Sequence, residues 1–170
     1  MKSILFCPKM AVAYRRGLKT QTRRILVKLP LDGISPYGRA GKRVVLRTTW
    51  ATEAQYDHIR PTDLPSNARI WSYFESDNKI LGEISEPASF EFGRIRPGMF
   101  LPKKFWFWMP QPRITGIRTE HVQDISHEDA IEEGVGSIEE YATLWDEING
   151  DRCPWKWNPL VWVINLEKIG

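Results

Sequence analysis

The run Leu160-Val161-Trp162-Val163-Ile164-Asn165-Leu166 constrains the fold more than any other segment. A nearly continuous apolar stretch of that length, rich in β-branched residues, reads as a strand buried on both faces and central in its sheet. Its neighbours must then come from far away in the chain. Strand-like segments occur at 3–6, 44–50 and 113–122, the last with Gly116 marking a bulge. Helix signals are few. Pro8 suits a first turn and Gly17 ends it. Ser126 with Asp129, and Ser137 with Glu140, are capping patterns closed by Gly134 and Gly150. Ile138, Tyr141, Trp145 and Ile148 share one helical face. The expected class is α+β: a mixed, partly closed β-barrel with two or three short helices packed outside.

The length of 170 residues fits one domain, 1–170. Residues 28–42 read as a Pro/Gly-rich loop. Residues 51–94 lack firm periodicity and read as an insertion, with a hairpin around Ser76-Asp77-Asn78. If the run Phe105-Trp106-Phe107-Trp108 is a strand, Trp106 and Trp108 face one way and Phe105 and Phe107 the other. Those rings either pack in the core or stack on bases. Cys7 and Cys153 stand far apart in no C-x-x-C pattern and read as reduced thiols. The N-terminal apolar patch is too short for a signal peptide, and no run reaches the length of a membrane span. An intracellular, cytoplasmic chain without a membrane partner is expected.

The net charge of +3 conceals an asymmetry. Residues 1–50 hold twelve Lys and Arg against one acid, Asp32, whereas the remaining residues hold twelve against twenty. A basic stretch of that density either attracts phosphates or pairs with the acidic remainder on folding.

Phosphate-loop, dinucleotide-fold and nucleophile-elbow motifs are missing, and His58, His121 and His127 have no ligand spacing. No metal site and no cofactor are expected. Gly17-Leu18-Lys19-Thr20-Gln21-Thr22-Arg23-Arg24 concentrates an amine, two hydroxyls and two guanidiniums directly after a helix end. Arginine forks and Thr hydroxyls suit phosphate oxygens, although an edge strand would carry the same residues. On a regular strand Lys19, Gln21 and Arg23 share one face, and Thr20, Thr22 and Arg24 the other. The acidic cluster Glu128, Asp129, Glu132 and Glu133 reads as solvated surface. Glu133 differs from the others because a helix C-terminus disfavours a carboxylate there.

That N-terminal segment resembles the G-x-K-T-x-T-x-R signature of ASCH domains, relatives of the PUA RNA-binding fold. Leu46-Arg47-Thr48-Thr49-Trp50, Arg96-Pro97 through Leu101-Pro102, 122–134, 144–150 and 157–163 are similar to further family motifs in the same order. ASCH-like proteins of tailed bacteriophages and prophages are the nearest in pattern. The resemblance covers about 1–50 and 95–169. It departs at Lys42, Thr48 and Phe100, where relatives carry Asp, Glu and His.

What it implies is a PUA-like barrel whose basic cleft binds RNA, another nucleic acid, or a nucleoside or nucleotide. Thr20, Arg23, Arg24 and Arg47 would contact the ligand. Some family members are amidohydrolases that deacetylate 4-acetylcytidine. For those the resemblance implies Lys19 as general base, Thr22 as nucleophile and Glu133 as proton donor or orienting group. A ribonuclease or a phage accessory protein that binds another protein are the further alternatives, and a bacterial host cell is the implied setting.

Overall fold

The computed structural model describes residues 1–28, 34–72 and 93–169. The hairpin expected around Ser76 lies outside them. In chain order the strands are β1 (Lys2–Leu5), β2 (Gln21–Ile25), β3 (Val44–Arg47), β4 (Trp50–Ala51), β5 (Trp71–Ser72), β6 (Arg113–His121) and β7 (Leu160–Glu167). The α-helices are α1 (Pro8–Arg15), α2 (His127–Glu132) and α3 (Ile138–Asn149). The class is α+β. Among the described residues the strands form sheets of two, three and two, and none closes into a barrel.

The chain divides into two compact units, one of Met1, 3–15 and 45–111, the other of Lys2, 16–44 and 112–170. In the first unit β1 pairs with β3, and β4 pairs antiparallel with β5. Trp50 is fully buried, and its indole N–H donates to the Pro97 carbonyl at 3.2 Å. A buried indole left without an acceptor would lose a hydrogen bond, so this contact fixes where 96–98 runs. Gly98 is required at that approach, since a Cβ there would lie 2.5 Å from the Thr48 carbonyl oxygen. The aromatic run forms no strand. Lys103–Trp108 is a 3-10 helix between Pro102 and Pro110, with Phe105 N–H donating to Pro102 at 3.0 Å and Met109 N–H to Trp106 at 3.1 Å. Period-three winding stands where a strand would have given two-sided alternation.

In the second unit β7 is the central strand, flanked antiparallel by β2 and β6. Its apolar continuity has the expected cause, as Val161, Trp162, Val163 and Ile164 are all buried. The β6 register shifts between Ile114 and Gly116, where one extra residue, Thr115, is accommodated. Ser126 and Ser137 accept from the N–H groups of Asp129 and Glu140, capping α2 and α3. Gly134 closes α2 at φ +89°, the left-handed region that costs glycine least. Tyr141 and Trp145 of α3 pack with Val122, Ile125, Ala130, Val161 and Val163 in one core cluster. Among the described residues no helix is long and apolar enough to cross a membrane. Cys7 and Cys153 are free thiols.

Candidate functional site

Gly17 adopts φ +76° and turns the chain out of α1. Thr20 is then tied on both sides: its N–H donates to Glu132 at 2.8 Å, and its carbonyl accepts from Leu166 at 2.7 Å. These bonds hold the start of β2 against the end of α2. Pairing with β7 runs from Gln21↔Asn165 to Ile25↔Val161 without a shift. Regular alternation therefore sends Gln21 and Arg23 to one face and Thr22 and Arg24 to the other.

On the first face the basic residues meet the acids of α2. The Lys19 ammonium donates to the Glu133 carboxylate and, at 2.9 Å, to the Glu133 carbonyl. Both side chains are fully buried. Glu133 is the C-cap of α2, where a cation is favoured by the helix dipole. Lys19 thus offsets the charge of Glu133 and satisfies an orphan carbonyl at once. Gln21 donates from Nε2 to Asp129 and Glu132, each at 2.9 Å.

Arg23 is the hub. Nε and Nη2 reach Glu120 at 3.2 and 2.6 Å, and Nη2 also reaches Asp129 at 2.7 Å. Nη1 donates to Gln21 Oε1 at 2.5 Å and lies 3.4 Å from Glu133 Oε1. These contacts occupy all five guanidinium N–H groups. Its residue is only 3% exposed. Burial pulls its pKa down, but Glu133 and Glu120 outweigh that and leave it raised. Arg118 bridges Glu120 and Asp129 from outside, at 2.9 and 2.6 Å. The Tyr141 phenol is pushed well above its ordinary value, first by burial and then by the charge of Glu133.

The expectation of phosphate contacts at Arg23 therefore meets a different arrangement, in which its donors are engaged by carboxylates within the protein. The acidic cluster is likewise no plain solvated face. Asp129, Glu132 and Glu133 accept hydrogen bonds from Lys19, Gln21 or Arg23, although Glu132 stays exposed as Glu128 does; the Glu128 pKa is lowered by its own backbone N–H and then by Ser126.

Asp129 gives this network a pH signature. Burial would raise its pKa, but hydrogen bonds from Gln21 and Arg23 and the charges of Arg23 and Arg118 bring it below the ordinary value. A carboxylate depressed in the folded state adds stability that is fully present above its unfolded pKa of about 3.9 and is lost as pH falls through the folded value. Asp129→Asn is expected to lower stability at pH 7 and to flatten the acid limb below about pH 4. Urea melts across pH check this; an unchanged acid limb would contradict it.

Of the other expected site residues, Thr22 is buried on the opposite face of β2. Among the described residues its hydroxyl has no hydrogen-bond partner, so it bonds neither Lys19 nor Glu133. Arg24 is half-buried on that same face, opposite Trp162, and Thr20 is exposed. Arg47 belongs to the other unit. Its Nη1 donates to Gly98 and Met99 carbonyls at 3.3 and 3.1 Å, and its guanidinium sits 5.2 Å from the Trp106 ring centre. Of Lys19, Thr22 and Glu133, which the resemblance implies as a set, only Lys19 and Glu133 are joined by hydrogen bonds among the described residues. Among the described residues no cluster of three or more His, Cys, Asp or Glu side chains is placed to hold a metal ion.

The positive charge that stays outward lies elsewhere in the second unit. Arg43 and Arg113 form an isolated antiparallel bridge. It is closed by Val44 N–H to Pro112 at 3.1 Å and Ile114 N–H to Lys42 at 2.8 Å. That pattern makes them a non-hydrogen-bonded pair, the closer of the two cross-strand spacings. Lys42 and Arg39 belong to the adjoining turn, where Lys42 N–H donates to Arg39 at 3.2 Å. All four side chains are exposed. Among the described residues none of the four has a carboxylate partner. Like charges directly opposite destabilise a strand pair.

Comparison with protein-family models, curated proteins and solved structures returns no match.

In the sequence Arg39 and Arg43 count only within the charge total, and Lys42 also as a departure from the ASCH pattern. Nothing in the sequence signals that Arg113, seventy residues later, lies opposite Arg43.

Proposed function

We propose that this chain binds nucleic acid, RNA foremost, through the outward basic patch of Arg39, Lys42, Arg43 and Arg113. The carrying observation is the Arg43–Arg113 pair: two guanidiniums at close cross-strand spacing, exposed and without a carboxylate. Such a pair is costly alone and becomes favourable when an anion sits between its members. Phosphates spaced along a strand supply that anion repeatedly. The motif order resembling ASCH domains supports the same reading, with a PUA-like barrel as its architecture and a phage or prophage protein in the bacterial cytoplasm as its setting. The bridge from residue 43 to residue 113 supports that barrel, because it extends the β6 side of the sheet.

Fluorescent RNA and DNA oligonucleotides test the proposal. Log affinity is expected to fall linearly with log salt, with a slope of about −3 if all four bases meet phosphates of a single strand. No salt-sensitive binding at micromolar protein would overturn it.

A second reading is the amidohydrolase acting on 4-acetylcytidine. What favours it is the buried contact of Lys19 with Glu133, two of the three residues that the resemblance assigns to that chemistry. Incubation of the same preparation with 4-acetylcytidine checks it. Cytidine formation is expected on this reading, and none at high protein concentration rejects it.

A further inference from the structure

The first unit exposes aromatic surface that neither its core nor the patch just described uses. Phe107 and Trp108 are 62% and 60% exposed. Their rings nevertheless touch, with centres 4.6 Å apart and planes tilted by 38°. They end a 3-10 helix whose other aromatics are anchored. Phe105 is fully buried, and the Trp106 indole donates to the Leu101 carbonyl at 3.1 Å. Lys104 also braces the run, donating to the Thr62 carbonyl at 3.1 Å and to that of Leu64. The two exposed rings therefore project from a fixed base.

Cations flank this base. Arg47 and Lys103 lie 5.2 and 6.0 Å from the Trp106 ring centre. Arg47 Nε is buried and its Nη1 donates to the Gly98 and Met99 carbonyls, so Lys103 is the exposed cation of the two. Residues 93–111 of this unit contain four Lys and Arg and no Asp or Glu. An apolar protein partner would gain little from that excess, and an acidic peptide would gain little from two bare rings. A chain bearing both flat apolar groups and negative charge uses both features.

We infer that Phe107 and Trp108 form a stacking shelf for unpaired bases of a single-stranded nucleic acid, with Lys103 beside it for the phosphates. Duplexes keep their bases stacked inside and cannot use the shelf. The inference rests on the nucleic-acid reading above and names the strand class.

Trp108→Ala and Phe107→Ala test it, with Trp108→Phe as the conservative control. Thermal melting should show all three folded, since both side chains are exposed. Affinity is measured for a single-stranded oligo-U, a matched duplex and inorganic polyphosphate. Each Ala variant is expected to weaken oligo-U binding by roughly tenfold, as loss of one stacked base does. Duplex and polyphosphate affinities and the salt slope should not change, and Trp108→Phe should keep most of the binding. No loss on oligo-U, or an equal loss on all three probes, overturns the shelf. So does a change of sedimentation coefficient in the Ala variants, which would make it a self-association face. If the wild-type protein binds polyphosphate and duplex while the Ala variants match it on oligo-U, the shelf fails and the basic patch stands. If the wild type binds none of the three, both fail.

Discussion

Arg23→Leu is expected to destabilise the protein by about 3–5 kcal/mol, the usual cost of removing one partner from a buried charge network. Among the described residues Arg23 is the only side chain that contacts Gln21, Glu120, Asp129 and Glu133 together. Without it, three carboxylates converge on a space holding no guanidinium. Arg118 still reaches Glu120 and Asp129, but from a half-exposed position where its charge is screened. Arg23→Lys keeps the charge and should still lose much of the stability, because an ammonium offers three donors where the fork offered five. The penalty should shrink as pH falls below about 4, since protonated carboxylates repel one another less. Urea melts at pH 7 and pH 3.5 measure both effects. The phosphate-contact role would give another result: a folded Arg23→Leu protein with weakened oligonucleotide binding. A variant of wild-type stability would remove Arg23 from the structural network.

Arg43→Glu is expected to do the opposite, raising stability while weakening binding. A glutamate facing Arg113 replaces a like-charge pair with an opposite one at the closer cross-strand spacing. The gain is about 0.5–1 kcal/mol, toward the low end because both side chains are exposed. Oligonucleotide affinity at low salt should fall on the order of tenfold, and the salt slope should become shallower by about 0.7 for each phosphate that is no longer neutralised. Arg113→Glu should behave alike, and the double reversal should lose the stability gain by restoring a like-charge pair. Melting and binding curves on the same samples check the pattern. Greater stability with undiminished binding would leave the pair without a role in recognition.

The two variants mark what was legible in the sequence. Caps at Ser126 and Ser137, the turn at Gly17, the bulge near Gly116 and the central place of β7 follow from local signals, and the structure has each of them. The shared face of Gln21 and Arg23 was also legible, because alternation is a property of the backbone. What they face was not. Their acidic partners lie 97 to 111 residues away, and no local propensity encodes that distance. The same limit hid Arg113 from Arg43. For the aromatic run the sequence left strand geometry open; the chain winds as a tight helix from the Pro102 N-cap, and Phe105 and Met109 N–H groups donate within that turn.

The order of elements along the chain has a consequence for biosynthesis. β7 follows every other strand, yet β2 and β6 are both hydrogen-bonded to it. Neither can take its place in the sheet before Leu160–Glu167 has been made. Lys19 and Arg23 emerge more than a hundred residues ahead of Glu133. At ordinary elongation rates of about 5–20 residues per second, they spend several seconds outside the ribosome before that carboxylate is made. During that interval the first fifty residues are a polycation with one acid, and the second unit assembles only when its longest-range contacts close last.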